Sequence, residues 1–208
     1  LGARVGVLLS GCGAYDGSDL HEAVLTLVAL ERRGARTLCI APDRPQQDVV
    51  NHLSGDIRPG EVRQVWEEAA RIARGRIEKP EPAVYGSLEA LVIVGGFGVA
   101  KNLMVGFARP GEVHVAESAV GAMIGALIKQ RRPLGAVGLG KVLLSAVLDE
   151  ELFPGSELGP AERLSSDPTR RLYHAPGFLG AGRLPEVAAG IERLVDALLG
   201  VPALRVVE

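Results

Sequence analysis

The sequence predicts an α/β fold with a mostly parallel central sheet, and three observations carry that reading. Residues 90–94 (ALVIV) form an unbroken apolar run that stops at Gly95-Gly96, as expected of a strand covered on both faces. Residues 3–41 read as strand, amphipathic helix, strand, one βαβ unit whose crossover should be right-handed. Residues 187–199 close the chain with a further amphipathic helical period. In such sheets ligands gather at the carboxyl edge, where paired glycines bare backbone N–H groups to a ligand or a developing negative charge.

The first strand, residues 3–9 (ARVGVLL), runs into the small-residue loop Ser10-Gly11-Cys12-Gly13. Asp16-Gly17-Ser18 is turn chemistry, and Asp19 with Glu22 has the spacing of a capping box. Leu20, Ala23, Val24, Leu27, Val28 and Leu30 recur three and four apart and predict a helix ending near Gly34. Residues 37–41 give the second strand, stopped by Pro42-Asp43, and the polar stretch 44–59 is expected to be loop. Residues 61–73 return to helical spacing through Val62, Val65, Trp66, Ala69 and Ile72, and Pro80-Glu81-Pro82 is a stiff connector into the buried strand. Residues 113–129 predict a helix rich in Ala and Gly, suited to close packing on a neighbour. A short strand at 133–137 runs into Gly138-Leu139-Gly140-Lys141 and a helix at 142–148. Residues 149–171 read as irregular, and 172–178 (LYHAPGF) as a brief strand and turn. No internal repeat or domain-sized linker interrupts the chain, so residues 1–208 read as one domain.

At 208 residues and 47% apolar composition the chain can bury a core of ordinary size. A net charge of −2 gives no electrostatic case for nucleic acid or for a membrane surface. No run approaches the roughly 18 apolar residues of a membrane span. Cys12 and Cys39 lie far apart and make no disulfide scaffold, which points to a reducing compartment. The chain starts at Leu1 and enters a strand almost at once, so the expectation is that any targeting segment is already absent, which fits a processed organellar protein and a trimmed chain equally.

Gly11-Cys12-Gly13 followed by Gly17 approaches the dinucleotide fingerprint, but the third glycine is one place late and Asp16 would face the pyrophosphate; no cofactor is expected. Gly135 to Lys141 fits G-x-x-x-x-G-K, yet Val142 replaces the hydroxyl residue that would hold Mg²⁺, which reads as a tight strand-to-helix turn. Lys141 with Gly138 to Gly140 at a helix N-terminus would suit an anion. His21, His52, His114 and His174 lack ligand spacing, so no metal is expected and each reads as a surface or loop histidine. Cys12 sits between a strand end and a helix N-terminus, a setting that can lower a thiol pKa, and reads equally well as a small buried residue. Cys39 reads as a core thiol. Glu22 is either a capping residue or a functional acid.

Residues 8–22 (LLSGCGAYDGSDLHE), Ala41-Pro42-Asp43, Asn51-His52-Leu53, 69–75 (AARIARG) and 95–103 (GGFGVAKNL) together closely resemble the ElbB family. That family comprises bacterial glyoxalase-like proteins and mitochondrial relatives in animals, within the class I glutamine amidotransferase-like superfamily that also holds the PfpI-type proteases. The match runs well over residues 3–148, and the loop around 57–61 looks more like the mitochondrial members. The resemblance implies a flavodoxin-like three-layer sandwich. It also implies an active edge joining an acid early in the first helix, a glycine pair whose amides form an oxyanion hole, and a cysteine on a nucleophile elbow. Glu22 matches the acid, and Gly95 and Gly96 match the pair. Family members read approximately P-[LI]-G-x-x-C-I-A-P at the elbow, where this chain has PLGAVGLGK. The cysteine position is Gly138, Gly140-Lys141 replace the following Ala-Pro, and Val94 replaces a proline before the glycine pair. His174-Ala175-Pro176 stands in place of a Thr-Thr-Pro in the closing strand.

Glycine offers no nucleophile. The leading expectation is therefore a catalytically silent family member, kept as a binding or accessory protein, with Gly95, Gly96, Leu139 and Lys141 as ligand-binding positions. The alternative is a glyoxalase or deglycase-type lyase acting on small reactive aldehydes through Cys12 and Glu22. The resemblance implies the mitochondrial matrix, with the cytoplasm as alternative, and a homodimer or a place as subunit of a larger mitochondrial assembly.

Overall fold

The computed structural model describes residues 2–106, 114–180 and 182–201. The elements follow as β1 (Arg4–Leu8), α1 (Leu20–Arg32), β2 (Arg36–Ile40), α2 (Val65–Ile72), β3 (Ile77–Glu78), α3 (Pro82–Tyr85), β4 (Ala90–Ile93) and α4 (Gly98–Asn102). Then come β5 (Met104–Val105), β6 (Val115–Ala116), α5 (Ser118–Lys129), β7 (Leu134–Val137), α6 (Gly140–Leu148), β8 (Ser165–Asp167), β9 (Leu172–Ala175) and α7 (Leu184–Leu199). Among the described residues a seven-stranded sheet has the order β3-β2-β1-β4-β7-β9-β8. Every pairing in it is parallel except that of β8 on β9. Strands β5 and β6 pair separately and antiparallel.

Strand β4 explains the layout. All four of its residues are buried, because β1 and β7 flank it and helices cover both faces. One core joins the sheet to α1, α2 and α7 through Leu30, Ala69, Ile191 and Leu194. The other joins it to α4, α5 and α6 through Val99, Met123, Ile124 and Leu143. Each fully buried Leu, Ile or Val side chain stabilises the fold by about 1.5–3 kcal/mol relative to exposure. The result is a flavodoxin-like three-layer sandwich. From β1 the chain turns outward to β2 on one side, while from β4 it leads to β7 on the other. The carboxyl ends of β1 and β4 therefore border a crevice at the topological switch point.

Several local expectations change. Helix α1 keeps its predicted span, but Leu20, Val24 and Val28 are exposed, and its buried side is Glu22, Ala23, Thr26, Ala29 and Leu30. Two polar side chains, Glu22 and Thr26, thus sit on the inner face and blurred the apolar period. Helix α2 starts only at Val65, since Pro45 bridges Gln64 and holds the preceding residues extended. The helix expected over 113–129 begins at Ser118, capped by the Glu117 carboxylate, after the short strand β6; Val113 lies outside the described residues. The segment read as irregular contains the edge strand β8. No described helix is long and apolar enough to cross a membrane.

Candidate functional site

At the switch point the loops after β1, β4, β7 and β9 converge on a cleft of about 150 Å³. Ala14 and Asp19 come from the first loop, Gly96 and Phe97 from the second, Leu139 from the third, and Phe178 and Leu179 from the fourth, with Glu22 beside them on α1. Asp19 caps α1 by accepting from the His21 and Glu22 amides. Glu22 does not complete a capping box. Its Oε1 instead accepts from the Phe178 backbone N–H at 2.9 Å, tying α1 to the loop after β9. Glu22 is only 2% exposed, and its Oε2 meets no hydrogen-bond partner. Burial pushes the Glu22 carboxyl up to about 7; the Phe178 amide opposes this, the Asp19 charge adds to it, and the Gly95 backbone opposes it more weakly.

Gly138 stands where β7 turns into α6, in the left-handed region at φ +51°. A Cβ on it would lie 2.9 Å from Glu22 Oε1 and 3.1 Å from Oε2. The turn thus has the conformation and the aim of a nucleophile elbow, with no side chain on it. Its backbone is fastened to β9. The Gly138 N–H donates to the Ala175 carbonyl at 2.9 Å, and the Gly138 carbonyl accepts from His174 Nε2 at 3.1 Å. Glycines also set how close the neighbours come: a Cβ on Gly95 would overlap Glu22 Oε2, and one on Gly177 would overlap Oε1. Among the described residues the amides of Gly96 and Leu139, both bordering the cleft, donate to no protein acceptor.

His174 is fully buried, which corrects its reading as a surface or loop histidine. A carbonyl only accepts, so the imidazole proton is on Nε2, and Nδ1 is left as a buried acceptor without a partner. Burial pushes its pKa down to about 4; the Gly138 carbonyl pulls it up, Lys141 pushes it down and Glu157 pulls it up. Phe153 stacks on the ring at 5.9 Å.

The other candidates separate from this cleft. Lys141 does not line it; its Nζ donates to the Phe153 carbonyl and Ser156 Oγ and pairs with Glu157, so the cation fastens the segment after α6. Cys12 does not line it either. The thiol is half-buried against the core on the α1, α2 and α7 side. Burial raises its pKa, as do Glu68 and Asp16, while Arg71 lowers it. Cys39 is buried and is pushed up to about 11, chiefly by burial. Among the described residues no group of three or more His, Cys, Asp or Glu side chains gathers to hold a metal ion.

Sequence reasoning missed His174, Gly177 and Phe178. The Pro176-Gly177 pair carried a turn signal, but nothing local said that this turn would donate to a carboxylate 156 positions earlier.

A parallel sandwich with an acid and an elbow at its switch point defines the glutamine amidotransferase-like class, which includes the DJ-1 and PfpI folds. Within it the chain belongs to the ElbB-like proteins. The human protein named glutamine amidotransferase-like class 1 domain-containing protein 3, mitochondrial, is 40% identical over 146 residues, 70% of this chain and 54% of that protein. The chain thus spans about half the length of that curated relative. The crystal structure of an isoprenoid biosynthesis protein with amidotransferase-like domain from Ehrlichia chaffeensis superposes with a TM-score of 0.84 at 26% identity, over 95% of this chain and 99% of that one. Toxoplasma gondii DJ-1 shares the fold, with a TM-score of 0.52 at 17% identity over 94% of this chain and 90% of its own. No family model matches the chain.

Proposed function

We propose that this chain is a catalytically silent ElbB-like domain, spanning residues 1–208, that acts by binding or as an accessory or assembly subunit. The observation that carries the reading is Gly138: the elbow faces Glu22 with no atom that can attack a carbonyl. Chemistry of this kind needs a nucleophile, a proton-moving acid and oxyanion donors acting together, and loss of the attacking group removes most of the catalysis. The residues lining the cleft include no thiol, hydroxyl or amine. The mitochondrial names of the curated relatives support a mitochondrial address, which we assign to the matrix. A second copy of the chain or a larger mitochondrial assembly is the partner this role requires.

The test is methylglyoxal turnover by the purified chain. We expect none above background, with the Cys12→Ser variant behaving the same. Robust turnover that survives Cys12→Ser and disappears with Glu22→Gln overturns the proposal.

A further inference from the structure

A second hollow lies toward the amino end of the sheet, away from the cleft. Strand β3 has only two residues, and they pair with Cys39 and Ile40. Arg36 to Leu38 of β2 therefore have no strand beside them on that side. Over this stretch, between α1 and the end of α2, is a cavity of about 480 Å³. That volume falls within the roughly 300–1,000 Å³ of small-molecule sites. Leu27 and Ile72 give it apolar walls, and Glu31, Thr37, Arg74 and Arg76 give it polar ones.

The polar groups are unequally committed. Glu31 accepts from the Thr37 hydroxyl at 3.2 Å. Arg71, one turn earlier on α2, is paired with Glu68. The guanidinium groups of Arg74 and Arg76 have no hydrogen bond and no carboxylate partner among the described residues. Arg74 also holds an unusual backbone position. It follows Ala73 at the end of α2 with φ +53°, the left-handed place that helix ends usually give to glycine, although Gly75 comes next. The turn is closed by the Gly75 N–H donating to the Ala70 carbonyl at 2.9 Å.

We propose that this cavity binds an organic phosphate, a phosphomonoester whose dianionic head is held by Arg74 and Arg76 and whose apolar body lies on Leu27 and Ile72. Two guanidinium forks match the charge and the three terminal oxygens of such a head, whereas a carboxylate occupies only one fork. The carbonyl ends of α1 and α2 disfavour an anion, so the charge rests on these two side chains alone. The cavity is larger than a bare anion needs, and its apolar walls leave a place for the rest of the ester. The site is separate from the Gly138 turn and does not depend on whether that turn is silent.

The experiment is thermal melting and calorimetric titration of the full chain with phenyl phosphate, against sodium sulfate at equal ionic strength and against phenol. Phenyl phosphate should raise the melting temperature by about 3–5 °C at about ten times its dissociation constant, and the two controls by less. Arg74→Gly and Arg76→Gln should each weaken its association about tenfold or more, the loss expected for a charge-assisted hydrogen bond. Arg74→Gly places glycine at a left-handed position, so it should not lower the melting temperature of the unliganded chain, and lost binding cannot then be put down to lost folding. No stabilisation by phenyl phosphate, equal stabilisation by sulfate or by phenol, or binding that survives both substitutions overturns the proposal.

Discussion

The loop after β1 and the turn after β7 meet at the same sheet edge, and they differ in how their buried polar groups are satisfied. In the first, the Asn102 amide donates to the Ser10 and Asp16 carbonyls at 2.8 and 2.7 Å and accepts from the Gln47 N–H at 3.0 Å. Ser18 Oγ accepts from the Ser10 amide, and Asp16 Oδ2 accepts from the Val50 amide. Apart from Gln46 Oε1, this network is closed. In the second, Glu22 Oε2 and His174 Nδ1 are buried without partners on either side of Gly138. Unpaired buried groups are an energetic burden, so they accumulate where binding or chemistry is done rather than where a frame is built. The two regions also divide the requirements of a thiol site. The β1 loop carries a cysteine in surroundings that raise its pKa, and the β7 turn has the elbow and the acid but no sulfur.

The sharpest way to break the contrast is at Asn102. Asn102→Ala removes three buried bonds and leaves the Ser10 and Asp16 carbonyls and the Gln47 amide to seek water. We expect a loss of roughly 3–5 kcal/mol in urea unfolding. A loss below about 1 kcal/mol would mean that the loop is not the rigid member of the pair.

The turn should instead reveal itself through pH. Glu22 titrates at about 7 in the fold against 4.5 for the ordinary group, so between those values the folded state holds a proton that the unfolded chain has lost. Its stabilising contribution is complete below pH 4.5 and is lost as pH rises to about 7, about 3 kcal/mol in all. His174 works in the opposite sense. Its value is about 4 in the fold against 6.5, so its contribution is complete above pH 6.5 and is lost as pH falls to about 4, again about 3 kcal/mol. The two slopes oppose each other across most of this range and hide one another in the native chain. Glu22→Gln should leave stability climbing with pH up to about 6.5, and should make the protein more stable than the native chain at about pH 8. His174→Gln, which keeps a donor for the Gly138 carbonyl, should leave stability falling with pH instead. Chemical unfolding across this range reads both; parallel curves for the native chain and either variant would remove that group from the turn.

The sheet was legible because it is a local property. Four consecutive buried residues in β4, ending at a glycine pair, state a central parallel strand without reference to anything distant. The proposed acid and the proposed vacant elbow were read for a different reason, namely that ordered motifs resembled a family whose cysteine position falls on Gly138. What could not be read were the contacts that make these residues a site. The Phe178 amide on Glu22 and the His174 ring on the Gly138 carbonyl join elements 156 and 36 positions apart, and each exists only once β9 is beside β7. The apolar period of α1 misled in the same way. Its inner face carries Glu22 because that face ends in the cleft.

The smallest expected effect lies at Cys12. Its loop position suggested an activated thiol, but burial and the Glu68 and Asp16 carboxylates disfavour the thiolate more than Arg71 favours it. Cys12 should therefore react with iodoacetamide at neutral pH more slowly than free glutathione. Cys12→Ser should change stability by under about 1 kcal/mol, because a half-buried sulfur contributes little packing. The rate is the informative number. Rapid stoichiometric labelling would put a thiolate at the same edge as Glu22, so that the region with the sulfur would also have the setting, and the division between the two loops would fail.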